Sequence, residues 1–315
     1  MRYILSVCLN PSYQKIISLP RLVHDDVNRA RDLRAMASGK GVNAARTLHL
    51  LGVRAAVAGL AGGNTGALVR AGLRRERIPA YFARTRAETR TCVTILEREP
   101  RTTTELIEPT GTIAPAEVED FWRHYRKLAA WSRMALLLGT VPRGVPDGIY
   151  ARLIREARAV GVPTFLDGSG APWRRGAAAR PDVLKCNLAE FQEAVGEALE
   201  TPRELVTRAR RFLTGETRWV VVTAGKSPAL FLNRRAAYWA VPPAVDAVNT
   251  VGSGDAMNGG FAQAFLEGWP DRKAIAWAVA CGTANVLVSG PGLVRPRDVK
   301  RLSGHVTIFA ELARN

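Results

Sequence analysis

Short apolar segments that alternate with amphipathic helices constrain the fold of this chain more than any other feature. Six segments have the length and apolar content of buried strands, and they are Arg2–Leu9, Ala55–Leu60, Ala135–Leu138, Thr164–Asp167, Val183–Cys186 and Trp219–Thr223. Helical periodicity separates or follows them over Val42–Leu51, Gly66–Arg75, Ala116–Trp131, Asp147–Val160, Leu188–Ala198, Pro202–Leu213, Asp255–Glu267 and Arg272–Leu287. This alternation predicts an α/β fold whose mostly parallel sheet carries helices on both faces.

Two segments depart from the alternation. Residues Ile16–Arg34 and Tyr81–Ile107 alternate polar and apolar side chains, as half-exposed antiparallel strands do. Each is inserted between a core strand and a core helix, at the edge of the sheet where open α/β folds bind ligands. We therefore predict a small β lid formed by residues 11–37 and 81–111, within a single domain that spans residues 1–315.

The composition predicts a soluble globular protein. No run reaches the roughly 20 apolar residues of a membrane span, and the amino terminus lacks a basic leader, so we expect neither a membrane segment nor an export signal. The cysteines Cys8, Cys92, Cys186 and Cys281 lie far apart, which argues against a zinc site or a disulfide framework and favours a cytoplasmic location.

The formal charge of +17 is the one unusual bulk property, and attraction to nucleic acid, membranes or anionic substrates would each suit it. Arginines supply most of this charge, and they are spread along the predicted helices with no block of five or six like charges. Solvated helix faces explain that distribution best. We therefore expect no nucleic-acid partner and no membrane partner.

A glycine-rich turn that opens a late helix is the strongest candidate site. It reads Asn249-Thr250-Val251-Gly252-Ser253-Gly254-Asp255. A helix start offers unpaired N–H groups and about half a positive charge, and both bind anions. Asp255 could then accept a proton from a substrate hydroxyl while the N–H groups stabilise a phosphoryl group in transfer. An Asp that merely caps the helix is the alternative that the residues leave open.

Three weaker segments also place polar groups at strand ends or helix starts. In Ser38-Gly39-Lys40-Gly41-Val42-Asn43, Lys40 and Asn43 suit an anionic ligand, although the segment is not a Walker A loop because Gly follows the Lys. Asn187 and Glu190 lie three residues apart, and they either hold a water-ligated Mg²⁺ or form a capping box. Thr223-Ala224-Gly225 ends an apolar strand and is either a phosphate-contacting loop or an ordinary strand-ending turn, since such turns commonly have this composition.

In their order and spacing these segments resemble the ribokinase-like (PfkB) carbohydrate kinase family, and particularly its branch of phosphosugar kinases. That branch includes 1-phosphofructokinase, tagatose-6-phosphate kinase and the minor 6-phosphofructokinase. The likeness spans almost the whole chain, from Leu9-Asn10-Pro11 to the turn at Asp255, and it includes Gly62–Gly66, Glu108–Gly111, Gly139–Gly144 and Asp167–Gly170.

The resemblance implies a three-layer α/β/α sandwich with a β lid, and a homodimer formed through that lid. It also implies that the protein uses ATP and Mg²⁺ to phosphorylate a hydroxyl of a sugar phosphate such as fructose 1-phosphate, tagatose 6-phosphate or fructose 6-phosphate. Two alternatives stay open. One is a kinase of an unphosphorylated sugar, nucleoside or cyclitol, and the other is a non-catalytic nucleic-acid-binding or regulatory protein on the same scaffold.

Individual roles follow from the resemblance. Asp255 matches the catalytic base, and Gly252, Ser253 and Gly254 match the anion hole. The positions that match sugar-phosphate contacts are Gln14, Gly39, Lys40, Asn43, Arg90 and Thr140. Those that match nucleotide contacts are Asn187, Thr223, Gly225 and Gly254, and Glu190 with Asn187 matches the motif that holds Mg²⁺ through water.

The substrate side departs from the family pattern at several positions. Gln14 stands where the family usually carries an Asp that bonds sugar hydroxyls, and a neutral amide has therefore replaced a carboxylate. The other departures are Ser38 for Gly, Ile107 for Asn, Leu138 for Ser and Gly168 for Thr or Ser. The phosphoryl-transfer end changes only by Ser253 for Ala. We therefore expect the reaction type to be preserved and the acceptor sugar to be unusual.

Overall fold

Fourteen strands and ten helices make up the regular structure of the described residues, 2–99 and 101–312, in the computed structural model. The strands are β1 Tyr3–Cys8, β2 Ser12–Leu19, β3 Asp32–Ser38, β4 Ala55–Gly62, β5 Ala80–Thr85, β6 Arg90–Glu97, β7 Thr103–Ile107, β8 Ser132–Leu138, β9 Thr164–Asp167, β10 Val183–Asn187, β11 Trp219–Ala224, β12 Ser227–Leu232, β13 Ala236–Val241 and β14 Thr307–Leu312. The helices are α1 Lys40–Leu50, α2 Gly63–Arg75, α3 Pro115–Ala130, α4 Ile149–Ala159, α5 Gly170–Ala178, α6 Leu188–Val195, α7 Pro202–Arg210, α8 Ser253–Leu266, α9 Asp271–Val286 and α10 Pro296–Ser303. Residues 1, 100 and 313–315, which the predicted domain and lid include, lie outside the described residues.

A ten-stranded sheet forms the middle layer, in the order β14-β13-β12-β11-β10-β9-β8-β1-β4-β5. All pairings from β11 to β5 are parallel, whereas β12, β13 and β14 extend the sheet by antiparallel pairing. Helices α3 to α7 cover one face, and α1, α2, α8 and α9 cover the other. The predicted three-layer α/β/α fold with a mostly parallel sheet is confirmed.

Both faces of the central strands are buried, which explains why the strand segments are apolar throughout instead of alternating. In β1, Leu5 and Val7 pack beneath α3 and α4, whereas Ile4 and Cys8 pack on the opposite face with α1 and α8. Across the described residues every helix is too short or too polar to span a bilayer.

A separate four-stranded sheet, β3-β2-β6-β7, forms the lid. It differs from the predicted lid in two respects. Residues 81–85 belong to β5, which pairs in parallel with β4 in the central sheet, so the second lid segment begins at Arg90. The pairing of β2 with β6 is parallel and not antiparallel, because both strands enter the lid from the same edge of the core sheet.

Several elements were not predicted. The hairpin β12–β13, the last strand β14 and the short helices α5 and α10 were not among the segments that the sequence analysis identified. Helix α5 has nine residues, two of them glycines, and only Trp173 and Gly176 are buried, so its pattern is too short to identify. Strands β12 to β14 are held by pairing with β11, which is a tertiary effect.

Candidate active site

The lid and the carboxyl ends of the parallel strands enclose a cleft of about 890 Å³. Every residue that the sequence singled out for the site lines it: Gln14, Gly39, Lys40, Asn43, Arg90, Thr140, Asn187, Glu190, Thr223, Gly225, Gly252, Ser253, Gly254 and Asp255. Segments more than 200 residues apart in the sequence therefore converge on one cavity, as expected for ligand sites of open α/β sheets.

The glycine-rich turn before α8 brings a helix start to the floor of the cleft. Gly252 is the N-cap, with a φ of 84°, and a Cβ at this position would lie 2.8 Å from the Cα of Pro291. Both the left-handed backbone and this close approach require glycine. The first N–H groups of α8 have no intrahelical partner. That of Ser253 makes a long bond of 3.3 Å to the carbonyl oxygen of Thr250, whereas that of Gly254 has no backbone partner within the described residues and can bind an anion in the cleft.

Asp255 lies in the first turn of α8, and its side chain is bonded within the cleft rather than to its own helix start. Its Oδ2 accepts a hydrogen bond of 2.8 Å from Nδ2 of Asn43 on α1. Burial raises the pKa of Asp255 to about 6, against the opposing effects of the Lys40 ammonium and the Asn43 amide. A carboxylate of this proton affinity is a stronger base than an exposed Asp and still ionises at neutral pH.

Beside Asp255 lies a charged cluster of four side chains: Lys40, Asp167, Lys185 and Glu190. The Nζ of Lys185 is 2.8 Å from Oδ2 of Asp167, and the Nζ of Lys40 is 3.3 Å from Oδ1 of Asp167 and 3.7 Å from Oε1 of Glu190. The Nζ of Lys185 also lies 3.6 Å from where a Cβ on Gly254 would stand. Two ammonium groups therefore border the helix start, where a transferring phosphoryl group would need positive charge.

The charged cluster holds Asp167 and Lys40 in ionised form. Burial alone would raise the pKa of Asp167, but Lys185 and Lys40 keep that pKa well below its usual range. Burial alone would lower the pKa of Lys40, but Asp167, Glu190 and Asp255 together raise it. Sequence analysis assigned no role to Asp167 or Lys185. The signal that could have found them is a single ionisable residue in each of two short, largely apolar strands, Asp167 as the last residue of β9 and Lys185 in the middle of β10.

The lid side of the cleft contains Arg90 at the start of β6. Its Nη2 makes only a long contact of 3.4 Å to the carbonyl oxygen of Asn10, and its buried Nε has no hydrogen-bond partner within the described residues. A buried guanidinium donor without an acceptor is costly unless a ligand supplies one. Thr140 is exposed at the rim, where its Oγ1 accepts from Nδ2 of Asn10.

Gln14 is buried on the inner face of the lid. Its Nε2 donates a hydrogen bond of 2.8 Å to Oγ1 of Thr94. The amide nitrogen is therefore engaged within the lid, and the carbonyl oxygen is the end of Gln14 that remains to accept from a ligand hydroxyl.

The other end of the cleft is apolar. Ala229, Ala240, Val245, Val279 and Val286 line it, next to Thr223 and Gly225 at the end of β11. Gly225 has a φ of 61° and lies in the tight turn that reverses the chain from β11 into β12. The composition of this end suits a flat, largely apolar ring.

Asn187 and Glu190 form a reciprocal capping box at the start of α6. The backbone N–H of Asn187 donates to Oε2 of Glu190, and the backbone N–H of Glu190 donates to Oδ1 of Asn187, both at 2.8 Å. The capping alternative from the sequence is thus present in the structure. Oε1 of Glu190 faces the cleft near Lys40, so one carboxylate oxygen remains for a further contact.

Within the described residues no group of three or more His, Cys, Asp or Glu side chains could hold a metal ion alone. Mg²⁺ usually keeps several waters and binds through one or two carboxylates and substrate phosphates. Oε1 of Glu190, which faces the cleft 3.7 Å from Nζ of Lys40, fits that second arrangement and does not fit an all-protein metal cage.

Three comparisons place this architecture among known proteins. The model of the pfkB family of carbohydrate kinases matches residues 9–297. A tagatose-6-phosphate kinase of Staphylococcus epidermidis is 29% identical over 292 residues, which cover 92% of this chain and 94% of that protein.

Solved structures agree on the fold. Escherichia coli phosphofructokinase-2 in complex with fructose-6-phosphate has a TM-score of 0.88 at 23% identity, over 97% of this chain and 99% of that one. A Thermotoga maritima protein described as a possible 1-phosphofructokinase has a TM-score of 0.90 at 22% identity, over 99% of this chain and 100% of that one. At these identities the likeness shows the fold alone.

Proposed function

Because this chain belongs to the pfkB family of carbohydrate kinases, we propose that it transfers the γ-phosphoryl group of ATP to a hydroxyl of a sugar that already carries a phosphate. The observation that carries the proposal is Arg90, whose buried Nε has no acceptor on the lid side of the cleft. A phosphate oxygen would supply that acceptor, and guanidinium groups bind phosphates with good geometry. The tagatose-6-phosphate kinase at 29% identity also acts, by its name, on a phosphorylated sugar.

The two ends of the cleft suit the two substrates. The sugar phosphate would lie under the lid, near Arg90 and Gln14, and the adenine ring would occupy the apolar end beyond Thr223 and Gly225. The triphosphate would then reach the start of α8 from the side opposite the sugar. In this arrangement the acceptor hydroxyl, Asp255 and the γ-phosphorus meet at one point, as in-line transfer requires.

Asp255 serves as the base. The acceptor hydroxyl gives its proton to the carboxylate as its oxygen forms a bond to the γ-phosphorus, and the bond from that phosphorus to the β,γ-bridging oxygen breaks with its electron pair leaving on ADP. The N–H groups at Gly252, Ser253 and Gly254 stabilise negative charge on the transferred group, and Lys40 and Lys185 add positive charge beside it.

Glu190, through Oε1, and Asn187 would hold the water ligands of Mg²⁺ bound to the ATP phosphates. The ion would neutralise charge on the β- and γ-phosphates. The role of the protein here is to orient: the capping box fixes the Glu190 carboxylate so that its free oxygen faces the cleft.

We also infer that two subunits associate through the lid. Within the described residues, β3 and β7 are the unpaired edges of the lid sheet, and Leu33 on β3 and Leu106 on β7 are 57% and 56% exposed. An open sheet edge beside exposed apolar side chains favours pairing with a second chain. Light scattering after size exclusion tests this, with Leu106→Lys expected to shift the protein towards the monomer.

A cytoplasmic location stays a prediction, supported by four buried free thiols.

An ADP-release assay tests the proposed reaction. The wild-type enzyme with Mg²⁺-ATP is offered fructose 1-phosphate, tagatose 6-phosphate and fructose 6-phosphate, and in parallel the same sugars without phosphate. We expect at least one sugar phosphate to be turned over with a kcat/KM about 10- to 100-fold above its unphosphorylated counterpart, because one charge-assisted contact contributes about 1.5–3 kcal/mol. A preference for the unphosphorylated sugars would instead support a kinase of free sugars.

A further inference from the structure

Asn43 lies between Asp255 and a buried ion pair. Its Nδ2 donates to Asp255, while its Oδ1 accepts from Oγ of Ser38 at 3.1 Å and from Nη1 of Arg46 at 3.2 Å. An amide oxygen only accepts and an amide nitrogen only donates. Turning the amide over would place its NH₂ against the guanidinium and its oxygen against a carboxylate, so the two donors at Oδ1 determine which end faces Asp255.

Arg46 is itself held in one position. Its side chain is only 2% exposed, and each of its five N–H donors has an acceptor. Glu76 at the end of α2 takes two of them, at 2.6 and 2.8 Å, and the carbonyl oxygens of Ala37 and Pro291 take two more. The fifth donor is the one directed at Asn43, and it has no freedom to move elsewhere.

The same guanidinium also supports the backbone around the base. Ala37 belongs to lid strand β3, and Pro291 packs against Gly252, the N-cap of the helix that carries Asp255. Arg46 therefore joins the lid, the end of α2 and the turn before α8. Its charge is balanced locally by Glu76, so its effect on Asp255 passes mainly through the oriented amide of Asn43.

Ser38 is one of the positions at which the sequence analysis noted a departure from the family pattern, with serine in place of glycine. Its hydroxyl is buried and adds a second donor to Oδ1 of Asn43. Drawing electron density towards the amide oxygen makes the amide NH₂ a better donor, because hydrogen bonds in a chain polarise one another. Serine in place of glycine at position 38 thus strengthens the hydrogen bond from Asn43 to Asp255.

We propose that Arg46 and Ser38 are positioning residues for phosphoryl transfer, which hold the Asn43 amide so that its NH₂ orients the Asp255 carboxylate and favours its ionised form. The inference rests on the proposed function. The other charged or titratable groups that act on Asp255 are Lys40 from α1, Asp167 from β9 and Lys185 from β10, and Cys8 from β1 lies near them. None of these contacts Oδ1 of Asn43, so the proposed effect can be separated from theirs.

Ser38→Ala is the main test, since it removes one hydroxyl and leaves the ion pair of Arg46 in place. The kcat–pH profile with a saturating sugar phosphate is compared with that of the wild type and of Ser132→Ala. Ser132 is an equally buried serine whose hydroxyl bonds a carbonyl oxygen away from the cleft. We expect the acidic limb of Ser38→Ala to move up by about half a pH unit, with KM changed less than twofold. Ser132→Ala should leave the limb in place.

Arg46→Lys extends the series. Lysine keeps a charge for Glu76 but cannot supply five directed donors, so we expect a larger upward shift and a kcat lowered about tenfold or more. If this variant does not fold, Ser38→Ala alone decides. An acidic limb that stays within 0.1 pH unit of the wild type in Ser38→Ala would overturn the proposal.

A second readout does not depend on turnover. The ¹³C carboxyl titration of labelled aspartate, with the Asp255 signal assigned by its loss in Asp255→Asn, gives the titration midpoint of the base directly. A higher midpoint in Ser38→Ala than in wild type supports the positioning role even if no tested sugar is phosphorylated. An unchanged midpoint contradicts it even in an active enzyme, so this inference and the proposed function fail separately.

Discussion

Asn43 and Asp255 are 212 residues apart in the sequence, yet the Nδ2 of Asn43 donates a hydrogen bond of 2.8 Å to the Oδ2 of Asp255. This bond joins the starts of α1 and α8, the two glycine-rich helix starts in the chain that sequence analysis identified as separate candidates. Since α1 and α8 pack side by side beneath the lid, their anion-binding ends face one cleft. In the proposed reaction, the substrate and the transferred group meet at a site that neither segment forms alone.

The acidity of Asp255 predicts how turnover depends on pH. Burial raises its pKa to about 6, and the base must be ionised to accept a proton. We expect kcat at saturating substrate to rise with pH, by up to tenfold per unit below pH 6, and to level off above pH 7. The substrate phosphate also ionises near this range. Asp255→Glu distinguishes the ionisation of residue 255 from that of the substrate phosphate. If the acidic limb of the kcat–pH profile reports residue 255, its midpoint should move in this variant. An unchanged midpoint would assign the limb to the substrate phosphate.

The same raised pKa predicts a cost in stability. An unfolded Asp titrates near 3.8, so between pH 3.8 and 6 the folded state binds the extra proton, and stability falls as pH rises through this window. Asp255→Asn should therefore stabilise the fold at pH 8, by on the order of 3 kcal/mol, and the gain should vanish below pH 4. Urea unfolding at both pH values measures it. The exposed Asp147→Asn is the control, and equal stability of Asp255→Asn and wild type at pH 8 would contradict the prediction.

Arg90→Ala should weaken the binding of the sugar phosphate. We expect KM for the sugar phosphate to rise about 10- to 100-fold while kcat changes little, because a charge-assisted phosphate contact is lost equally from the ground state and the transition state. Lys15→Ala is the matched control, since Lys15 is an exposed cation of the same lid that does not line the cleft. Steady-state kinetics over a range of sugar phosphate measures both variants. A KM for Arg90→Ala within twofold of wild type would point to an unphosphorylated acceptor.

Glu190→Gln should raise the concentration of Mg²⁺ that the reaction requires. The amide oxygen can still accept from the N–H of Asn187, so α6 stays capped, but the charge that faces the cleft is lost. We expect half-maximal activity at about tenfold higher Mg²⁺. Glu193→Gln, on the exposed side of the same helix, should behave as wild type. If Glu190→Gln and Glu193→Gln required the same concentration of Mg²⁺, Glu190 would not hold the metal ion.

The sequence predicted the layers of the fold and the residues of the cleft, because both depend on local signals. Apolar runs gave the central strands, and glycines before helices gave the anion-binding turns. Asp167 and Lys185 were missed because their pairing is set by register: they lie opposite each other on neighbouring parallel strands, and no local pattern reports that. The lid strands were predicted to be antiparallel, yet β2 and β6 pair in parallel, since alternation does not determine strand direction.

The Asn187–Glu190 segment shows a different limit of the sequence. Capping and metal support were treated there as alternatives, yet one carboxylate oxygen of Glu190 caps the helix while the other faces the cleft. The pattern of residue types was the same for both roles. The two roles are distinguished only by the directions of the two carboxylate oxygens of Glu190, which depend on the position of α6 beside the charged cluster.

The kcat of Asp255→Asn tests the central claim most directly. Asparagine keeps the shape of the side chain and can accept from Asn43, but it cannot take a proton from the acceptor hydroxyl. In an ADP-release assay with saturating Mg²⁺-ATP and sugar phosphate, we expect kcat to fall by about 10²- to 10⁴-fold with little change in either KM. A kcat within a few-fold of wild type would show that Asp255 is not the base.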